Sequence, residues 1–142
     1  MLIDGRTWME ILSEGDAWAL VETASVGRLG VLVDGVPEIY PVNFAVDERT
    51  IVFRTGTGTK LHNLVDRPMV CFEVDGFEAA SEDGWSVMVK GRAGLPGDSA
   101  RLDRLHLEPW AVVSERIWVQ VKPTQVTGRR IRRQSRQSQA PN

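Results

Sequence analysis

Cysteine, tyrosine and histidine are scarce in this 142-residue chain, which holds one, one and two of them respectively. The lone Cys71 closes no internal disulfide, and no Cys or His spacing suits a metal ion, so the fold has to rest on an apolar core and no metal is expected. Cys71 reads as a small buried hydrophobe, with a reactive thiol as the alternative. No apolar run approaches the roughly 20 residues that a membrane span requires. The start, MLIDGRTWMEIL, has acidic residues in place of the basic stretch and apolar segment of a secretory signal, which predicts a cytoplasmic protein. Neither His62 nor His106 stands in a nucleophile or metal-ligand constellation, so no catalytic residue is identified; His62 reads as a solvent-facing helix residue.

What is present suits one globular domain. Hydrophobic residues make up 42% and charged residues 25%, ordinary values for a soluble protein. A chain of this length buries roughly 65 to 70% of its unfolded surface. The formal net charge of -2 is unevenly spread: Arg129, Arg130, Arg132, Arg133 and Arg136 put +5 in a tail without acids, leaving -7 for residues 1–128. From residue 132 the sequence RRQSRQSQAPN lacks apolar residues to offset ordering entropy, so the expected division is a domain over 1–131 and a disordered basic tail over 132–142. Without interleaved aromatics, and attached to an acidic body, the tail reads as a solvated terminus, and nucleic acid is not expected as a partner.

Periodicity predicts a mainly β protein. Thr7 with Glu10 forms a capping-box signature ahead of Trp8, Ile11 and Leu12, which places a first helix near residue 7. ASVGRLGVLV (24–33) and VPEIYPVNFAV (36–46) are strands joined by Asp34-Gly35, a type I′ turn signal. DERT then turns into TIVFRT, completing a predicted three-strand meander. PMVCFEVDGFEAA, GWSVMVKGRAGL and RIWVQVKPTQVTG bring the strands to six, and Asp98 caps a short predicted helix, SARLDRLHL. Short strands with few helices favour a barrel, because closure removes exposed edges.

The stretch IVFRTGTGTKLHNL (51–64) carries the chemistry. A strand ending at Arg54-Thr55, a turn through Gly56, Thr57 and Gly58, and a helix starting at Thr59 or Lys60 would gather backbone N–H groups, hydroxyls and an ammonium in one concavity. That arrangement suits a phosphate group, although the same residues also serve as a plain structural turn. The nucleoside-triphosphate loop does not match, because no Gly precedes Lys60 and no Ser or Thr follows it.

Together with MVCFEVDG, GWSVMVKGRA and RIWVQVKPTQVTGRRI, the segment VGRLGVLVDGVPEIYPVNFAVDERTIVFRTGTGTKL resembles the pyridoxamine 5′-phosphate oxidase-like flavin-binding split-barrel family, in its short flavin-nucleotide-binding branch. The resemblance spans about residues 6 to 131. It implies a six-stranded antiparallel split β-barrel with short peripheral helices, assembled as a homodimer that holds FMN at the subunit interface, with the deazaflavin coenzyme as the alternative cofactor. It further implies that Lys60, with Thr59 and Thr57, binds the cofactor phosphate, and that Arg54 and Thr55 run along the ring edge. Pro41, Val42 and Asn43 match a segment facing the ring; Trp85 and Ser86 match one that reaches it from the partner subunit. For Trp85 a place in the core, for Arg54 a surface position and for Asn43 a buried-turn role stand as alternatives. The implied activity is a flavin-dependent oxidoreductase passing hydride through N5, on a substrate that the sequence does not identify; a non-catalytic flavin-binding module is the other reading. Two departures bear on this. Gly58-Thr59-Lys60 stands where the family has Ser-Arg-Lys, and the arginine-bearing C-terminal segment that grips a substrate phosphate is missing, which argues against pyridoxal phosphate synthesis.

Overall fold

The computed structural model of the chain describes residues 2–5, 9–105, 107 and 116–132, the side chains of Thr59, Lys60 and Leu61 excepted. In chain order the elements are β1 (Leu2–Ile3), β2 (Glu10–Ile11), α1 (Glu14–Val21), β3 (Val26–Val33), β4 (Val36–Asn43), β5 (Ala45–Asp47), β6 (Thr50–Thr55), α2 (Thr59–Asp66), β7 (Met69–Glu78), β8 (Asp83–Gly94), α3 (Ser99–Leu102) and β9 (Ile117–Ile131). The fold is mainly β with short helices at the periphery, as the alternation of the strands predicts.

Two local expectations change. The helix does not start near residue 7: Glu10–Ile11 is strand, and Ser13 caps α1, its hydroxyl accepting from the Asp16 N–H at 3.1 Å. Thr7 and Trp8 lie outside the described residues. Burial explains the shift, because Ala17, Trp18 and Val21 form a helical stripe that is almost wholly buried, whereas Ile11 is left exposed. The expected second strand also breaks at Phe44 into β4 and β5, so the three-strand meander is not formed. β4 pairs with β3, β5 pairs with β6, and β6 crosses to β9.

The main antiparallel order is β1-β2-β9-β8-β7-β3-β4. β9 is long enough to pair with β8 over most of its length and, at its start, with β6. The sheet curls without a continuous closing ladder, since only the three-residue β5 links the β4 side to β6. This is a split barrel. Asp34 and Gly35 have φ of 49° and 79°, as a type I′ turn between β3 and β4 requires. At Gly91 the β8–β9 register shifts, and a Cβ there would fall 2.2 Å from the Lys122 carbonyl oxygen, so the bulge admits only glycine without moving backbone.

Inward-facing positions of the strands, among them Leu29, Phe53, Phe72, Val87, Val89 and Val121, fill the barrel with α1 and with Leu64 of α2. A smaller cluster of Val52, Leu102 and Trp118 seats the short helix α3 against β6 and β9. Asp98 caps α3 as predicted, but the helix ends at Leu102. Cys71 is half-buried on the outward side of β7, and burial pushes its thiol above the usual pKa. No helix among the described residues is long and apolar enough to cross a membrane.

Candidate functional site

Arg54 ends β6 directly across from Trp118 on β9. Its guanidinium lies 4.5 Å from the centre of the Trp118 ring, and its Nη2 donates to Asp103 Oδ1 at 2.6 Å. The Trp118 Nε1 donates to the same oxygen at 2.7 Å. These contacts hold the Asp103 carboxyl below the usual carboxylate range, the tryptophan hydrogen bond being the larger cause and Arg54 the next. A second link, Arg101 donating to both carboxylate oxygens of Asp47 at 2.7 Å, ties α3 to the end of β5. Arg54 is therefore no free surface residue. It keeps one donor in reserve: its buried Nε has no hydrogen-bond partner.

Thr55 is buried at the end of β6, and the turn through Thr57 leads into α2 with Gly58 as its first cap. Gly58 is extended, with φ -84° and ψ -158°, and provides no side chain to cap the helix. The first turn of α2 holds no acid, and a Cβ at Gly58 would meet no atom within 4 Å. Gly58 thus offers no side chain to the first backbone N–H groups of α2, which have the helix dipole behind them. Thr59 and Lys60 open that helix, as their sequence context predicts.

Pro41, Val42 and Asn43 form the last turn of β4 before the split. Val42 points into the core, and Asn43 donates from Nδ2 to the Ser25 carbonyl at 3.4 Å while its buried Oδ1 has no partner. Beside it lies a cavity of about 370 Å³ lined by Ser25, Phe44, Val46, Leu105 and Leu107. Trp85 and Ser86 sit elsewhere, near the tip of the β7–β8 hairpin. Trp85 packs at the edge of the core and over Gly76, and it borders a cavity of about 650 Å³ with Phe77, Asp83, Arg130 and Arg132.

Arg54 and Trp85 are far apart in one chain. Arg54 pairs with Trp118, and Trp85 pairs with Arg130, at the other end of β9. The two positions are about twelve residues apart, up to roughly 40 Å of extended strand. A single chain brings Arg54, Thr55 and the α2 turn together by sequence continuity, but leaves Trp85 and Ser86 at a distance.

The sequence profile of pyridoxamine 5′-phosphate oxidase matches residues 13–130. The chain belongs to this family. Among solved structures, it is 41% identical to an FAD binding protein from Mycobacterium smegmatis, with a TM-score of 0.73, covering 87% of this chain and 100% of that one. It is 32% identical, with a TM-score of 0.78, to a Corynebacterium glutamicum protein named for pyridoxamine 5′-phosphate oxidase, covering 87% of this chain and 98% of that one. The Mycobacterium tuberculosis protein Rv0080 is 32% identical over 133 residues, 88% of this chain and 87% of its own length.

For this member of the pyridoxamine 5′-phosphate oxidase family, the residues present fit a flavin nucleotide. An uncapped helix N-terminus suits a phosphate; the unpartnered Arg54 Nε is a donor and the unpartnered Asn43 Oδ1 an acceptor, the two functions displayed by a flavin ring edge. Sequence reasoning misses Asp103 and Trp118, which hold Arg54. The only sequence signal for Trp118 is the strand alternation of RIWVQV, which does not say which strand it meets, and Asp103 stands in the predicted helix SARLDRLHL with nothing to mark its partner. The Glu73 and Asp75 carboxylates beside Arg28 are missed as well. His106 and Trp110 lie outside the described residues.

Proposed function

We propose that the chain is a flavin-binding oxidoreductase that takes FMN, its phosphate at the turn before α2. The observation that carries the proposal is the uncapped, acid-free N-terminus of α2 following β6, in a chain of this family. Lys60 and the hydroxyls of Thr57 and Thr59 would add charge-assisted and neutral hydrogen bonds to the phosphate. Arg54, held in place by Asp103 and Trp118, would orient the ring edge and stabilise negative charge that builds there on reduction. Asn43, with Pro41 and Val42, would line the ring. Bound flavin supplies hydride transfer at N5. Because Trp85 and Ser86 lie at the far end of β9 from Arg54, their contribution would come from a second subunit, which makes the working form a homodimer.

FAD is a second reading, favoured by the 41% identity to an FAD binding protein. The deazaflavin coenzyme is a third. Titration of apo-protein with FMN, FAD and riboflavin separates the first two. FMN is expected to bind more tightly than riboflavin, and Lys60→Ala to weaken FMN by about 1.5 to 3 kcal/mol, the size of a hydrogen bond to a charged group. Equal affinity for FMN and riboflavin would remove the phosphate site. Anaerobic mixing of the loaded protein with a nicotinamide or a reduced deazaflavin donor tests the redox role: bleaching is expected, and its absence with every donor leaves a binding module. Pyridoxamine 5′-phosphate is not expected to be oxidised.

A further inference from the structure

The break between β4 and β5 borders the cavity of about 370 Å³, whose walls are Phe44, Val46, Leu105 and Leu107 and whose exposed rim includes Glu22 and Ser25. Both of its sides are tied to residues that the flavin reading sets at the ring. On one, the Ser25 carbonyl accepts from the Phe44 N–H at 3.2 Å and from Asn43 Nδ2 at 3.4 Å, which fastens the turn after α1 to the end of β4. On the other, Leu105 and Leu107 pack against Val52, Leu102 and Trp118, and Asp103, two residues before Leu105, holds Arg54. Register agrees. Ala45 of β5 pairs with Val52 of β6, and Arg54 follows on the same face of β6, roughly 7 Å further along. Continued two residues past the break, that ladder would set Asn43 opposite Arg54. The cavity thus lies along the gap between the two.

The lining says what the cavity takes. Ligand pockets start at roughly 300 Å³, so this one suits a small molecule, and its walls favour an apolar body. Glu22 is the only charged residue among the described ones that line it, and it forms no ion pair with any described residue. It also caps the C-terminal end of α1, where the helix dipole is itself negative. Carboxylate and dipole act with one sign at the rim, and no described lysine or arginine of the lining offsets them.

We propose that this cavity seats the small substrate of the flavin site, and that the substrate is an apolar molecule bearing a neutral or positively charged hydrogen-bond donor, not an anion. The inference rests on the flavin reading for the place of the ring between Asn43 and Arg54, and names the substrate class which that reading leaves open. Repulsion of anions at Glu22 is a second reason, beside the missing C-terminal arginine segment, to expect no oxidation of pyridoxamine 5′-phosphate.

The experiment offers phenol, benzylammonium and benzoate to the full chain, with and without FMN, and follows binding by protein NMR shifts. Phenol and benzylammonium are expected to bind both forms, benzoate about tenfold more weakly or worse. The two that bind should also shift the visible absorption of bound FMN, because they sit beside its ring. Glu22 and Ser25 are exposed, so both can be replaced without disturbing the core. Glu22→Lys, which favours the α1 dipole, should reverse the order of benzylammonium and benzoate; Ser25→Trp, which narrows the mouth, should weaken every probe about tenfold. Binding without a charge order, or an order that Glu22→Lys leaves unchanged, would overturn the substrate class. Probes that bind the FMN-loaded protein in the expected order without shifting the flavin spectrum would overturn the substrate role while leaving the flavin site standing. A chain that takes the probes in that order but binds no flavin would remove the flavin reading, and the substrate role with it.

Discussion

Asp103 is a single side chain on which two elements converge, accepting from Arg54 of β6 and Trp118 of β9. Its depressed pKa means that the folded chain takes up the proton less readily than the unfolded one. Its contribution to stability is therefore complete above the ordinary carboxylate value near about 4 and is lost as pH falls through the lower folded value. Asp103→Asn is expected to lower the melting temperature at neutral pH and to flatten the acid limb of its pH dependence. Thermal unfolding between about pH 2.5 and 7 checks this, and an unchanged acid slope would show that the group is not linked to folding. If Arg54 orients the ring of a bound flavin, the same variant should also loosen the bound cofactor. In the sequence Arg54 stands out as a cation closing a β-branched strand. Its partner Asp103 does not, because the two are separated by 49 residues and meet only through the cross-strand path of the sheet.

At the scale of the element, α2 offers a sharper test of what its N-terminus is for. A helix whose cap residue is glycine leaves its first N–H groups to water or to a ligand. Gly58 is extended and has open space around its Cα, so Gly58→Asp is sterically admissible. The new carboxylate would cap the helix and favour its dipole, raising stability by a few tenths of a kcal/mol, to about 0.5. The same carboxylate would occupy the N–H groups and repel a phosphate, so FMN affinity should fall about tenfold or more while riboflavin affinity changes little. Denaturant midpoints and titrations with the two ligands read the two effects separately; a variant that gains stability and keeps FMN would place the phosphate elsewhere. Elements of this kind are legible when the signal is local. The β3–β4 turn is written in Asp34-Gly35, and α2 starts where the Gly-Thr run ends. The first helix is misplaced because two capping signatures compete, Thr7 with Glu10 and Ser13 with Asp16. The choice is made by burial of Ala17, Trp18 and Val21, which depends on the rest of the barrel.

For the whole molecule, the mainly β split-barrel class follows from alternation, but the short strands β1, β2 and β5, which bring the expected six strands to nine, and the crossing of β6 to β9 do not, since they satisfy long-range pairings that a period-two pattern leaves open. The outward face of β4, β3, β7 and β8 is the sharpest instance: Ile39, Leu32 and Met88 look like ordinary strand residues until the register lines them up. If that face pairs the two copies of the proposed homodimer and sets Arg28 of each against Glu73 of the other, assembly must respond to pH with a defined sign. In the separate chain Glu73 is held near 7 by burial and by Asp75 from its own strand, against the pull of Arg28 from β3. A partner's Arg28 would favour the ionised form and lower that value, so pairing and ionisation assist each other. The dimer should be tightest above about pH 7 and weaken as pH falls through the interval between the two values, about tenfold for each unit by which docking lowers one carboxylate. General repulsion predicts the opposite: residues 1–128 carry -7, and acid would reduce that charge and tighten the dimer. Sedimentation of wild type near pH 8 and near pH 6 separates the two, and Glu73→Gln identifies the group. Weakening in acid that disappears in Glu73→Gln places the carboxylate against a cation of the second copy; tightening in acid, or weakening that survives the substitution, would mean that Glu73 does not meet the partner's Arg28.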